Sequence, residues 1–143
     1  MISLLPGFVR RWLPPAELSS QRVARYYDEW HERYMAAFGD TFQSQRTADL
    51  GELFHHIADQ AELVPGRRVL DAGCGIAGPA LWLARHRDVH VDAVNISGVQ
   101  AAEAQARVEA AGLADRVTVT LGDFHRLENH FAAGTFDAVL FLE

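Results

Sequence analysis

Val69-Leu70-Asp71-Ala72-Gly73-Cys74-Gly75-Ile76-Ala77-Gly78 is an apolar run that breaks into closely spaced glycines, with a carboxylate two places before the first of them. The glycines alone fit G-x-G-x-x-G, in which a bare backbone turn and the start of a helix cradle a pyrophosphate. Asp71 changes that reading. A fixed negative charge at the mouth of the turn repels a diphosphate and suits a cationic ligand, one with an ammonium or sulfonium group. Gly73 and Gly75 let the backbone turn sharply and approach a ligand where a Cβ would block it. A plainer role for Asp71 is to cap the loop that follows. Cys74, inside the motif, reads as packing rather than as a nucleophile.

Outward from this stretch the chain alternates. Residues 67–72 predict a strand and 77–86 a helix, then come a strand at 89–95, a helix at 98–111 stopped by Gly112, and a strand at 116–121. Residues 136–142 are an almost unbroken apolar run, as in strands buried on both faces. The pattern predicts an α/β fold: a Rossmann-like doubly wound parallel sheet, first four strands only, with helices on both sides. N-terminal helices precede it. Residues 16–37 predict one or two helices with Tyr27, Trp30 and Tyr34 on one face, a stripe that reads mostly as core. Residues 46–63 predict another, with Leu50, Leu53, Phe54 and Ile57 on one side, before a turn at Pro65-Gly66. The expected division is a helical cap on the substrate side, 1–63, and a ligand-binding unit, 64–143. A last strand at 136–142 would be an exposed edge, which invites pairing. The expectation is therefore the N-terminal part of a longer domain, or a piece completed by a partner such as a second copy of the chain.

Composition narrows the function. The chain has 143 residues, 49% of them hydrophobic, enough for one modest core. Net charge is −6 with no basic run, which argues against nucleic acid as a partner. All 13 cationic side chains are arginine, so P-loop phosphate chemistry and Schiff-base catalysis, which need lysine, are excluded. One cysteine rules out an internal disulfide and fits a reducing cytoplasm. The first residues carry their charges after the apolar stretch, unlike a signal peptide, and no apolar run approaches the roughly 20 residues of a membrane span. A cytoplasmic protein is expected. The seven histidines suggest no metal site: His55 and His56 are adjacent and so diverge by about 100° on a helix. His125 could serve as a base, against a surface role.

Taken together, the residues resemble class I S-adenosyl-L-methionine (SAM)-dependent methyltransferases over 26–143. Within that class the chain is similar to the C-methyltransferase branch: sterol methyltransferases, cyclopropane fatty acid synthase-like enzymes, and prenyl diphosphate or terpenoid methyltransferases. Beyond the D-x-G-x-G turn, the features are Tyr26-Tyr27-Asp28, Phe38-Gly39-Asp40-Thr41-Phe42-Gln43, and Val94-Asn95-Ile96-Ser97 followed by Gln100. The resemblance implies that 64–143 is the N-terminal half of a SAM-binding domain. It further implies a small-molecule acceptor and carbon methylation of an isoprenoid or lipid-like compound in secondary metabolism.

Site roles follow from the same resemblance. Asp71, Gly73 and Gly75 hold the methionine moiety. Asn95 stands where an acid ordinarily bonds the ribose, with Ser97 and Gln100 beside it. Asp123 accepts from the adenine amino group and the Phe124 N–H meets the ring, although Asp123 also fits a plain Asx turn. Tyr26, with Tyr27, covers the sulfonium, where aromatic faces attract a cation, and Gln43 is a further contact. Glu143 would stabilise the positive charge that develops on an alkene, or take up the proton afterwards, against a reading as a solvated residue. Two rivals remain. An NAD-dependent oxidoreductase is disfavoured by Asp71 and by Asn95, which replaces the acid that grips the ribose diol. The other is a non-catalytic fragment that binds SAM weakly, or only when completed by its missing half or a partner chain.

Overall fold

A computed structural model describes residues 19–39 and 49–142. Helices α1 (Ser20–Phe38) and α2 (Leu50–Gln60) come first. Asp49 starts α2: its carboxylate accepts from Gly51 N at 2.8 Å and Glu52 N at 3.2 Å, which satisfies two backbone donors that the helix leaves open. Then β1 (Arg68–Ala72), α3 (Gly78–Arg87), β2 (His90–Asn95), α4 (Gly98–Ala110), β3 (Val117–Leu121) and β4 (Ala138–Leu140) follow, with a 3₁₀ segment at Phe124–Asn129, kinked at Arg126, before β4. Every pairing is parallel and the strand order is β3-β2-β1-β4. This is the expected Rossmann-like arrangement.

The sheet's two faces differ. Val69, Val91, Ala93 and Val117 pack on one face against Ala58 of α2, Ala80, Leu83 and Ala84 of α3, and Ala104 and Val108 of α4. Leu70, Ala72 and Val94 point the other way and meet Phe124, Leu127, Phe131 and Phe136. Helices on both sides were expected; among the described residues α2, α3 and α4 pack on one face, and the other is met by the segment from Phe124 to Phe136. Handedness supplies the reason. β1, β2 and β3 are laid down in one direction, so both right-handed crossovers put their helices on the same face. The connection that reverses direction, from β3 back past β1 to β4, carries only the 3₁₀ helix.

The fourth strand is also shorter than the apolar run from 136 to 142. Phe136 turns aside to pack on Phe131, with ring centroids 5.0 Å apart, and Asp137 is held by Arg67 Nη1 at 2.7 Å and Arg68 N at 2.8 Å. Within the described residues β4 pairs only with β1, and Val139 and Phe141 are 50% and 63% exposed. Burial on both faces is therefore not found.

Candidate functional site

The strand order reverses at β1, between β2 and β4, and ligands of open α/β sheets bind outside the strand ends at such a point. A cleft of about 1110 Å³ lies there. Its floor is the glycine turn after β1, with Asp71, Gly73, Cys74 and Gly75; Asn95 and Gln100 form one edge. Tyr27 and Tyr34 of α1, Leu53, His56 and Gln60 of α2, and Phe124 and Phe141 complete the wall.

Asp71 is the electrostatic anomaly. Its register with Ala93 and Leu140 seats it between two apolar strands, and it is 1% exposed. Its Oδ2 finds no hydrogen-bond donor among the described residues. Burial alone pushes its pKa up from 3.8 to about 7, because no cation offsets the lost hydration. Among the described residues two other buried polar atoms lack partners, His31 Nδ1 and Arg87 Nε, but neither residue lines the cleft.

The turn itself is committed inward. Gly73 N and Cys74 N both donate to Val94 O, at 2.9 and 3.0 Å. A pyrophosphate cradle needs such amides pointing at the ligand; here two of them are spent on β2. Gly73 has φ +89° and Gly75 φ +55°, and a Cβ at either position would meet no atom within 4 Å. Backbone conformation, rather than crowding, therefore calls for glycine here. Cys74 is 5% exposed, and burial raises its thiol pKa well above the usual range, as packing rather than nucleophilic use requires.

Asn95 is 5% exposed and used at both ends by the protein. Its Nδ2 donates to Gly75 O and to Gln100 Oε1, each at 2.9 Å, and its Oδ1 accepts from Ser97 N at 3.0 Å. Ser97 is fully buried and caps α4, its Oγ accepting from Gln100 N at 3.1 Å. Of the sequence-derived site residues, Asp71, Gly73, Gly75, Asn95, Gln100 and Phe124 line the cleft, while Tyr26, Ser97 and Asp123 are not among its lining. Tyr26 is 45% exposed and stacks on Trp30, centroids 5.8 Å apart. One residue further along the helix, Tyr27 faces in. Asp123 accepts from the Ser20 hydroxyl and, at 2.9 Å, from His125 N. These bonds hold its carboxyl below the ordinary range, the Ser20 bond being the largest cause. Gln43 and Glu143 lie outside the described residues.

His56 and Gln60 were not anticipated in the cleft. Their i, i+4 spacing, offset by three from the apolar pair Leu53 and Ile57 (itself i, i+4) and so on a neighbouring strip of the same helix face, was a usable signal. The neighbouring His55 instead sits edge-on to Trp82 at 4.6 Å and takes a contact from Arg87 Nη2 at 3.2 Å.

A parallel sheet with a glycine turn after its first strand and a cleft over its switch point is a Rossmann-like arrangement, and the solved structures that it matches make it the methyltransferase fold. More narrowly, the chain belongs to the family described as mycolic acid cyclopropane synthetase, a SAM-dependent methyltransferase family whose profile matches residues 17–142. It is 33% identical to methyltransferase GfsG of Streptomyces halstedii over 87% of this chain and 48% of that protein. It is 32% identical to sterol 24-C-methyltransferase ERG6B of Gibberella zeae over 83% of this chain and 33% of the other. The chain thus spans half or less of the length of these relatives. Among solved structures, the [4+2]-cyclase SpnF superposes with a TM-score of 0.72 at 26% identity, over 85% of this chain and 48% of that one. Geranyl diphosphate methyltransferase in complex with SAM superposes with 0.56 at 26% identity, over 62% and 36%.

Proposed function

We propose that the chain forms the SAM-binding part of a methyltransferase that acts on a small, lipid-like acceptor, with methyl transfer to carbon. The observation that carries this reading is the buried Asp71 carboxylate, partnerless at Oδ2 among the described residues and facing a cleft whose described lining holds no arginine. The amino group of a methionine moiety is the cation that such a site lacks. The residues suit the cofactor further along: the turn at Gly73 and Gly75 would admit close approach, Gln100 would offer an amide to the ribose, and Phe124 would take the adenine side. Tyr27 and Tyr34 supply aromatic faces for a sulfonium. Bound there, SAM would supply an electrophilic methyl group for in-line displacement, and the protein's part is alignment and exclusion of water.

Carbon methylation and a lipid-like acceptor draw support from the family and from the apolar, aromatic wall of Leu53, Ile57, Phe124, Phe141 and Leu142. The segment 1–63 acts as the cap over the acceptor and 64–143 as the cofactor unit. Glu143 retains its proposed role towards the developing positive charge. The proposed setting is secondary metabolism in the cytoplasm.

A second reading has its own observation. The free edge of β4 with exposed Val139 and Phe141 suits a chain that binds SAM fully only when further polypeptide or another protomer completes the sheet. Calorimetric titration with S-adenosylhomocysteine and with NAD tests the first reading. Binding of the former alone supports it; NAD binding without the homocysteine analogue overturns it. A broad, non-cooperative melt and large aggregates would favour the second.

A further inference from the structure

Asp28 belongs to α1 yet caps α4. Its Oδ1 accepts from the Ser97 hydroxyl at 2.5 Å and from Val99 N at 3.2 Å. A carboxylate at this point also meets the positive end of the α4 dipole. From Ser97 the contact runs inward: Ser97 N donates to Asn95 Oδ1, and Asn95 Nδ2 donates to both Gln100 Oε1 and Gly75 O. An unbroken hydrogen-bonded chain therefore links α1 to the glycine turn. Its last members, Gln100 and Gly75, line the cleft, and α1 brings Tyr27 and Tyr34 to the same space. With Gln100 Oε1 turned towards Asn95, its Nε2 donor is directed away from that residue.

We infer that Asp28 is a positioning residue: by capping α4 from α1, it fixes Gln100 and Gly75 at the ligand's edge of the cleft and couples α1 docking to ligand binding. The coupling is reciprocal, since whatever α1 docking adds to ligand affinity, the ligand adds to α1 docking. The identity of the ligand rests on the SAM reading above; the relay from Asp28 to Gly75 does not. A second contact, His31 Nε2 to Glu103 Oε2 at 2.6 Å, also joins α1 to α4, so loss of the Asp28 carboxylate leaves the helix a hold.

Two variants separate positioning from bulk stability. Asp28→Asn keeps an Oδ1 acceptor and Asp28→Ala removes it. In amide proton–nitrogen spectra of the ligand-free protein, Asp28→Ala is expected to move the Gln100 side-chain amide and the Gly75 backbone amide, with Asp28→Asn near wild type. In titrations with S-adenosylhomocysteine, Asp28→Ala is expected to weaken binding by about tenfold, and Asp28→Asn to restore most of it. Shifts that stop at Ser97 and Val99 overturn the proposal, as does equal affinity of the wild type and the alanine variant, or equal loss in both variants. A wild type that does not bind the analogue, while Asp28→Ala still moves Gln100 and Gly75, overturns SAM binding by this chain alone and leaves the positioning role supported. Should Asp28→Ala not fold, Asp28→Ser, whose shorter side chain withdraws the acceptor from Ser97 and Val99 while leaving the Ser97 hydroxyl on Gln100 N, takes its place and the same outcomes decide.

Discussion

Asp71, next to last in β1, and Asn95, last in the adjacent β2, lie at the same edge of the sheet and are both almost fully buried. Their treatment is opposite. Both ends of the Asn95 amide are consumed by Gly75, Gln100 and Ser97, whereas the Asp71 carboxylate is left with a bare oxygen. A buried polar group that the protein satisfies belongs to its scaffold. One left unsatisfied costs stability in the free protein, and a ligand can return that cost. The contrast predicts that one residue carries folding and the other binding, and experiments can break it.

The largest effect comes from pH. The Asp71 pKa is raised from 3.8 to about 7 in the folded protein. The native state therefore holds a proton that the unfolded chain has already released. Its stabilisation is fully present below about pH 4 and is lost as pH climbs through 7. Wild type should lose up to about 4 kcal/mol relative to Asp71→Asn between pH 4 and pH 8, read from denaturant melts of both proteins. Subtracting the variant cancels other carboxylates, including Asp137, whose pKa is lowered chiefly by its bond from Arg68 N. A flat difference across that window would mean that the carboxylate has a partner after all.

Asn95→Ala comes next. It strips a donor from Gly75 O and Gln100 Oε1 and an acceptor from Ser97 N. Orphaned buried groups at about 1–3 kcal/mol each suggest a loss of about 3 kcal/mol, measurable as a drop in urea midpoint with unchanged slope. A change under about 1 kcal/mol would show that water replaces the amide and that Asn95 is as free for ligand as Asp71.

The reverse holds for affinity. Asp71→Ala should weaken S-adenosylhomocysteine by tenfold or more, about 1.5–3 kcal/mol for a charged hydrogen bond, while melting no lower than wild type at pH 8. Because the ammonium requires the ionised carboxylate, wild-type affinity should rise with pH up to about 7 and then level off. Below that pH, binding should release close to one proton, so that the calorimetric enthalpy varies with buffer. An affinity independent of pH between 5 and 7 would separate Asp71 from the ligand.

The sequence exposed one half of this contrast and hid the other. An apolar run followed by D-x-G-x-G is a local pattern, so the turn and the strand before it were legible, as was each element boundary from residue 67 to 121 to within one residue. Asn95 read as a ribose contact. Its use depends on Gly75, 20 positions earlier in sequence, a proximity that only the parallel pairing of β1 and β2 creates. Tyr26 and Tyr27 were nominated together, although adjacent helical residues diverge by about 100° and only Tyr27 reaches the cleft. The 3₁₀ helix at Phe124–Asn129 left no amphipathic period to detect in so short a run. In residues 136–142, apolar character meant aromatic packing on the open face as much as strand.

The smallest effect tests the turn that lies between the two residues. Gly73 sits at φ +89°, outside the compact left-handed well that other residues tolerate, and an added Cβ would meet nothing within 4 Å. Gly73→Ala should therefore cost only backbone strain, about 1–2 kcal/mol, seen as a modest drop in melting temperature. The same methyl group would stand on the exposed side of the turn, where the ligand's backbone approach is proposed. Affinity for S-adenosylhomocysteine should then fall by more than the stability loss explains. If affinity is kept while stability drops, the glycine serves the fold alone, and the ligand lies further along the cleft towards Gln100.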